Sequence, residues 1–149
     1  MEEIEKMSLK VKRLTETAKL PVKNQEGDMG YDIFSDEDIT LTTNKKDKIS
    51  TGIAIELPKG YGAFLVGRSG LTSKTLLRIN LGVIDNGYRG ELHIMNDIIY
   101  KGSNETVRIE KGDKIAQMII LPIFDGEVVE VNEVSKTDRG DKGVGSSGV

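Results

Sequence analysis

Apolar and polar residues alternate along most of the chain, and this pattern predicts β-strands. The clearest run covers residues 49–57, in which the odd-numbered positions are isoleucine, threonine or leucine and Glu56 lies on the other face. A period of two is typical of a strand with one buried face. The same alternation predicts further strands at residues 9–14, 39–43, 61–66, 91–95, 106–109, 115–121 and 128–134.

Turn-forming residues separate these segments, at residues 44–46, 58–60, 86–87, 101–103 and 111–113. Glycine, proline and asparagine favour such turns because they tolerate or preset the required backbone angles. Residues 73–77 are the only stretch that predicts a helical turn. Many short strands at close spacing predict an all-β fold, an antiparallel sandwich or barrel. We expect one β domain over residues 1–138 and a flexible, glycine-rich C-terminal arm over residues 139–149.

Composition argues against several kinds of site and partner. The 149 residues include no cysteine and a single histidine, His93, so we expect no disulfide, thiolate metal site or Ser-His-Asp triad. The 21 Lys and Arg against 24 Asp and Glu give a net charge of −3, which leaves no broad basic surface for nucleic acid. No stretch approaches the roughly 20 apolar residues that cross a bilayer. Residues 1–6 are acidic and lack the apolar run of a signal peptide, so we expect a cytoplasmic protein.

Five segments rich in glycine and charged residues interrupt the strand pattern, at residues 27–33, 67–74, 82–91, 111–119 and 139–148. In the first, Asp32 begins a predicted strand, and an ordinary acidic turn residue is the simpler alternative. In the second, glycines let backbone N–H groups point at one spot, and Arg68 and Ser69 add donors suited to phosphate. An ordinary exposed turn is the alternative there.

The third segment carries the most information. Residues 86–87, Asn-Gly, predict a hairpin turn between two apolar strands, which places Asp85 and Tyr88 across its tip, within reach of one ligand. Turn capping by Asp85 and a rim position for Tyr88 are the alternatives. In the fourth segment Gln117 interrupts an apolar strand, so its amide needs a partner if it is buried. The arm, with Arg139 and two serines, suits closure over an anionic ligand.

In order and spacing, these five segments resemble the motifs of the homotrimeric dUTPase family, over residues 9–149. The resemblance implies a β jelly roll, or clip barrel, that assembles as a homotrimer and builds each active site from all three chains. It implies hydrolysis of dUTP to dUMP and pyrophosphate, with Mg²⁺ bound mainly by the three phosphates. Some phage-encoded relatives act through a protein partner, so a regulatory partner is also a candidate.

The resemblance assigns a role to each candidate residue. Asp85 orients and activates the water that attacks the α-phosphorus in line, a contribution of about 10²–10⁴-fold, and it binds the 3′-hydroxyl. Asp32 reaches the metal through water. Tyr88 lies against the deoxyribose and excludes a 2′-hydroxyl, by about 10²-fold from packing alone. The other expected contacts are Arg68, Ser69, Gly70 and Gln117 to phosphate, Asn80, Gly82 and Val83 to uracil, and Arg139, Val144, Gly145, Ser146 and Ser147 in the closing arm.

The arm departs from the family pattern at Val144, where an aromatic residue usually stacks on the uracil. Base–aromatic stacking is worth about 1–3 kcal/mol, so we expect weaker substrate binding unless Val144 packs against the base. Three alternative functions stay open. A dCTP deaminase of the same fold would need a catalytic Glu within residues 92–96, where the chain has none. A regulatory protein would keep the fold with weakened catalysis, and an unspecific pyrophosphatase would cleave dTTP, dCTP and UTP at similar rates.

Overall fold

The computed structural model describes residues 7–43, 47–98 and 105–143. Within these ranges the chain forms short strands and one short helix, so the all-β prediction is confirmed. In chain order the elements are β1 (Lys10–Arg13), β2 (Gly30–Phe34), β3 (Ile39–Thr42), β4 (Asp47–Ser50), β5 (Ile53–Glu56), β6 (Tyr61–Val66), α1 (Ser69–Lys74), β7 (Leu77–Ile79), β8 (Gly82–Ile84), β9 (His93–Ile98), β10 (Thr106–Ile109) and β11 (Lys114–Pro122).

The described strands pair in antiparallel fashion into four sheets. The largest has the order β2-β11-β6-β8, a second has the order β4-β9-β7, and two further pairs are β1-β5 and β3-β10. Neighbours in a sheet are mostly distant in sequence, as in a jelly roll. Strand β11 pairs along both edges, with β2 and with β6. Because β11 carries Gln117, the register of this sheet decides what lies beside that side chain.

The core between the sheets is aliphatic. All four sheets contribute to it, and its largest fully buried apolar side chains are Ile33, Leu41, Ile49, Ile53, Leu77, Leu92, Ile94, Ile109, Ile115 and Met118. Each such side chain contributes about 1.5–3 kcal/mol relative to leaving it exposed. The sheets are therefore held by packing, and the polar residues at their ends are available for other roles.

The run at residues 49–57 is buried on the predicted face, but it is not one strand. Its odd-numbered side chains are all buried, which confirms the period-two interpretation. The chain nevertheless breaks at Gly52, which has a φ of 69°, and β4 and β5 join different sheets. A Cβ at this position would lie 2.5 Å from Oδ2 of Asp36. Only glycine fits both this backbone angle and this space.

The strand predicted at residues 128–134 is wrong. The structure shows no strand there, and the relative exposures of Val128, Val129, Val131 and Val134 are 100%, 68%, 58% and 84%. The alternation of valines is real, but a strand also needs a neighbouring edge to pair with. The described part of this chain supplies none to this segment.

The helical turn predicted at residues 73–77 is displaced. The helix is α1, which begins four residues earlier, and Thr75 ends it in an extended conformation with its N–H donating to the carbonyl of Leu71. Leu77 belongs to β7 instead because its side chain is buried in the core. Two predicted turns, at residues 44–46 and 101–103, lie outside the described residues.

The hairpin predicted around residues 86–87 is only half correct. The turn exists, since the N–H of Tyr88 donates to the carbonyl of Asp85 at 3.1 Å. The flanking strands do not pair with each other, because β8 pairs with β6 whereas β9 pairs with β4 and β7. The loop instead crosses between sheets. The Asn86 amide holds it by donating to the carbonyls of Pro58 and Tyr61, each at 2.9 Å.

Helices of the length and apolar character needed for a membrane span do not occur in the described ranges.

Candidate active site

Strand register brings three of the predicted residues together at one end of the largest sheet. On β11, Gln117 is paired with Asp32 of β2 on one side and with Val66 of β6 on the other. Arg68 follows β6 after a single glycine, so it emerges at the same end. Residues far apart in sequence thus form one polar cluster because they flank a common strand.

Two cations surround the carboxylate of Asp32 in this cluster. Nε of Arg68 lies 3.7 Å from Oδ1, and Nζ of Lys114 lies 3.4 Å from Oδ2. Arg68 also donates from Nη1 to the carbonyl of Lys114 at 3.1 Å. Asp32 lies within β2 and is only 19% exposed, so it is not a simple acidic turn residue. Two cations thus lie against one carboxylate, an arrangement of charged donors that suits an anion.

The Gln117 amide has the hydrogen-bonding partner that its position required. Its Nε2 donates to the carbonyl of Gly67 at 3.2 Å. A Cβ on Gly30, in the neighbouring strand, would collide with Oε1 of Gln117 and lie 3.1 Å from its Cδ. Gly30 therefore leaves the space in which this amide lies.

Ser69 and Gly70 are the first two residues of α1, directly after Arg68, and both are exposed. Apart from the neighbouring residues and the backbone of α1 itself, no atom lies within 4 Å of where a Cβ of Gly70 would be, so there is open space beside this position.

The predicted site residues of the third segment, residues 82–91, lie around two neighbouring pockets. Asp85 is exposed and lines the first pocket, of about 240 Å³, together with Gly62, Ala63, Phe64, Val83, Ile84, Leu121, Pro122 and Ile123. A second pocket, of about 210 Å³, is lined by Leu65, Gly82, Val83, Ile84, Tyr88, Glu91, Leu92, His93 and Met95. The sides of the two pockets meet at Val83 and Ile84.

A single chain does not bring Asp85 to the Asp32 cluster. In the β6–β8 pair, Ile84 is opposite Ala63, so Asp85 follows at the Gly62 end of β6. The Asp32 cluster lies at the Val66 end of the same strand. Four residue-to-residue steps along β6 separate these two ends, about 13 Å at roughly 3.3 Å per step. The two predicted catalytic carboxylates therefore belong to different sites on one chain.

Two other predicted substrate contacts, Asn80 and Arg139, lie outside the Asp32 cluster and the two pockets. Asn80 lies between β7 and β8, where its N–H donates to the carbonyl of Met95 at 2.9 Å, and it does not line either pocket. Arg139 is exposed and donates from Nε to the carbonyl of Lys142 at 3.1 Å. The arm residues Val144, Gly145, Ser146 and Ser147 lie outside the described residues.

Three residues of these sites escaped the sequence-based predictions: Gly30, Lys114 and Glu91. Lys114 lies three residues before Gln117, and its charge beside a predicted phosphate contact is a signal that sequence reasoning could have used. Glu91 lies at the edge of the second pocket, where its carboxylate accepts hydrogen bonds from the Ser50 hydroxyl and the Gly52 N–H. Burial by itself raises the pKa of Glu91, but these hydrogen bonds and the nearby His93 outweigh it and hold the pKa below its ordinary value.

Direct metal coordination by the protein does not fit the described side chains. In those ranges no three His, Asp or Glu side chains form a group able to enclose a metal ion. Asp32, the carboxylate predicted to face a metal, is already flanked by two cations. These donors fit Mg²⁺ only as an ion that is held mainly by phosphate oxygens and keeps several of its waters.

Fold and site together define an all-β protein with a cationic sheet end suited to a phosphate-bearing ligand and a separate pocket beside an exposed carboxylate. The sequence model of the dUTPase family matches residues 16–148. The chain belongs to the dUTPase family.

Relatives of known identity and structure support this membership. A deoxyuridine 5′-triphosphate nucleotidohydrolase from Hydrogenobaculum sp. is 44% identical over 146 residues, which cover 96% of this chain and 99% of the relative. The dUTPase of Staphylococcus bacteriophage 80alpha, solved with dUPNHPP, is 39% identical with a TM-score of 0.81, over 95% of this chain and 99% of that chain. A mutant dUTPase from phage phi11 of S. aureus, solved with a structural Mg(II) ion, is 36% identical with a TM-score of 0.75, over 85% and 97%. The resemblance inferred from the five segments is confirmed.

Proposed function

We propose that the protein hydrolyses dUTP to dUMP and pyrophosphate. The observation that carries this proposal is the cluster of Asp32, Arg68, Lys114 and Gln117 at one end of the largest sheet. Its two cationic side chains and its side-chain amide suit a polyphosphate. Membership of the dUTPase family supports deoxyuridine triphosphate as that ligand.

The phosphate chain is proposed to lie against Arg68, Ser69, Gly70 and Gln117. These residues hold the phosphates and neutralise the charge that develops on their oxygens, and together the two effects supply most of the rate enhancement in phosphoryl transfer. Arg139, Val144, Gly145, Ser146 and Ser147 would close the site as an arm over residues 139–149. Closure excludes water and completes the set of donors around the phosphates.

Asp85 is proposed as the general base of the reaction. It takes a proton from a water as that water attacks the α-phosphorus, the bond to the bridging oxygen breaks, and pyrophosphate leaves. Its exposure beside a pocket supports this role. Gly82, Val83 and Asn80 would contact the uracil, and Tyr88 would lie against the deoxyribose.

Mg²⁺ is the proposed cofactor, with Asp32 as the residue that would hold it, through water. The Mg(II) ion in the phage phi11 relative supports the choice of metal, although in that protein it is described as structural. When bound to the substrate, this ion supplies neutralisation of phosphate charge. The side chains of Arg68 and Lys114 then act on the oxygens that remain.

A homotrimer is proposed because the two halves of the site, Asp85 and the Asp32 cluster, do not meet within one chain. Asp85 and the Asp32 cluster lie at opposite ends of β6, so a second copy is needed to bring one to the other. An apolar segment also lacks cover, since Phe124 and Val128 have relative exposures of 85% and 100%.

Light scattering tests this assembly, and we expect it to give the mass of three chains. Val128→Asp should shift the protein towards monomer. An unchanged mass would count against the segment that contains Phe124 and Val128 as the contact between subunits.

A regulatory protein partner is a further proposal. The phage 80alpha relative is described as a dUTPase that controls the transfer of virulence genes. No role with nucleic acid or membranes is proposed, and the cytoplasmic location stays a prediction from the sequence.

The test of the proposed function is a nucleotide panel assayed for pyrophosphate release with and without Mg²⁺. We expect rapid cleavage of dUTP with Mg²⁺ and slow cleavage of dTTP, dCTP and UTP. Asp85→Asn should abolish the activity, whereas Glu16→Gln, the same carboxylate-to-amide change at an exposed position, should not. Similar rates with all four nucleotides would indicate an unspecific pyrophosphatase, and ammonia released from dCTP would indicate a deaminase.

A further inference from the structure

The ring of Tyr88 is folded back across its own loop and lies on Gly90. A Cβ on Gly90 would be 2.5 Å from the hydroxyl oxygen of Tyr88 and 2.8 Å from its Cζ. Both distances are shorter than any normal contact of a methyl group. The observed position of the ring therefore requires the absence of a side chain at residue 90.

The hydroxyl of Tyr88 is held at the far side of this contact. It donates a hydrogen bond of 2.8 Å to the backbone carbonyl of Glu91. The ring is thus fixed at both ends, by its own backbone and by the carbonyl that follows Gly90. A ring held in this way loses little further freedom when a ligand packs against it.

The carbonyl of Glu91 is itself immobilised by a second set of bonds. The Glu91 carboxylate accepts from the Ser50 hydroxyl and from the Gly52 N–H, the latter at 3.1 Å. The next residue, Leu92, donates its N–H to a carbonyl of β5 at 2.9 Å and accepts from the Thr51 hydroxyl at 2.5 Å. Residues 91–92 are therefore fastened to the junction of β4 and β5.

We infer that Gly90 and Glu91 are positioning residues that set the ring of Tyr88 and thereby the discrimination between deoxyribose and ribose. This inference rests on the proposed function, in which Tyr88 packs against the sugar. Rejection of a hydroxyl by packing reaches only about 10²-fold. This selectivity requires that the Tyr88 ring cannot move away from the sugar by the width of one oxygen atom, because such a movement would make room for a 2′-hydroxyl.

The decisive variant is Gly90→Ala, because the added methyl group displaces the Tyr88 ring from its position on residue 90. Gly87→Ala is the matched control, since it makes the same change in the same loop and no atom outside the adjacent residues lies within 4 Å of its new Cβ. Values of kcat and KM are measured for dUTP and for UTP with each protein. We expect Gly90→Ala to raise the KM for dUTP more than it lowers kcat. We also expect the ratio of kcat/KM for dUTP to kcat/KM for UTP to fall about tenfold, because part of the discrimination that packing provides is lost.

A merely structural role for Gly90 gives a different result. General loosening of the loop would lower kcat/KM for both nucleotides by the same factor and leave their ratio unchanged. An unchanged ratio in folded Gly90→Ala therefore overturns the inference. If Gly90→Ala does not fold, Tyr88→Phe decides the matter, since it keeps the ring and removes only the bond to Glu91. A ratio reduced severalfold supports the inference, and an unchanged ratio rejects it.

Binding measurements separate this inference from the proposed function. Calorimetry with non-hydrolysable triphosphates of deoxyuridine and uridine gives the same selectivity as a ratio of Kd values, without any catalysis. A wild-type protein that binds the deoxy form selectively but hydrolyses no dUTP contradicts the proposed function alone. A wild-type protein that hydrolyses dUTP while Gly90→Ala keeps full selectivity contradicts the inference alone.

Discussion

Replacing Gly30 with alanine tests whether the position of the Gln117 amide matters for both stability and catalysis. The new methyl group would take the space now filled by Oε1 of Gln117. That atom belongs to the flexible end of a side chain, so the amide swings away while the backbone stays in place. The hydrogen bond from Gln117 to the carbonyl of Gly67 is then lost.

The size of the effect follows from these contacts. Loss of the Gln117–Gly67 hydrogen bond costs about 1 kcal/mol, and a strained rotamer of Gln117 costs about 0.5–1.5 kcal/mol. Alanine recovers about 0.4–1 kcal/mol by restricting the unfolded chain. We therefore expect a net loss of stability of about 1 kcal/mol. A lost hydrogen bond to a charged phosphate is worth about 1.5–3 kcal/mol, and kcat/KM for dUTP should fall by roughly 10- to 100-fold.

The assay is a double-mutant cycle of Gly30→Ala and Gln117→Ala, read by denaturant unfolding and by steady-state hydrolysis of dUTP. Once Gln117 is alanine, the clashing Oε1 and Cδ atoms are gone. Only its Cβ remains nearby, at 3.1 Å. Gly30→Ala should then cost less than in the wild type, so the two mutations should be non-additive. If Gly30→Ala reduced activity as much in the Gln117→Ala background as in the wild type, the reasoning would be refuted.

Three further predictions concern other parts of the sites. Lys114→Met removes one of the two cations beside Asp32 and should raise the KM for dUTP about tenfold, whereas Lys59→Met, at an exposed position, should leave it unchanged; equal KM values in the two variants would contradict this placement. The pKa of Glu91 is held below 4.5, so its ionised form stabilises the fold above that pH and the contribution is lost as the pH falls through the folded value. The stability advantage of the wild type over Glu91→Gln, measured by urea unfolding, should therefore be largest above pH 4.5 and shrink as the pH falls below it, and a constant difference would argue against it. Val144→Phe should lower the KM for dUTP more than it changes kcat, because an aromatic ring adds stacking on the base, and an unchanged or higher KM would exclude that role.

Local pattern was enough to predict most strands and their buried faces. The odd-numbered residues of the 49–57 run are buried as expected, because a period of two follows from strand geometry itself. The break at Gly52 was not predictable from this run. It depends on Asp36, a residue distant in sequence that occupies the space where a Cβ would lie.

Which strands pair with each other is the part of the fold that the sequence pattern could not predict. The turn at residues 86–87 forms as expected, but the strands beside it pair with β6, β4 and β7. The same limit explains the missed residues. Lys114 reaches Asp32 only because β11 lies beside β2, and Glu91 reaches Gly52 only through the packing of the β4–β5 junction. Pairing between distant segments is decided by the whole core.

The placement of Asp85 and Arg68 at opposite ends of β6 has a genetic consequence. In the proposed homotrimer, a defect in one half of the site and a defect in the other half can reside on different polypeptides. Coexpression of Asp85→Asn chains with Arg68→Ala chains, each inactive alone, would leave about one quarter of the sites with both intact residues. Two loss-of-function alleles of this gene would then complement each other within the same assembly, whereas two defects in the same half would not.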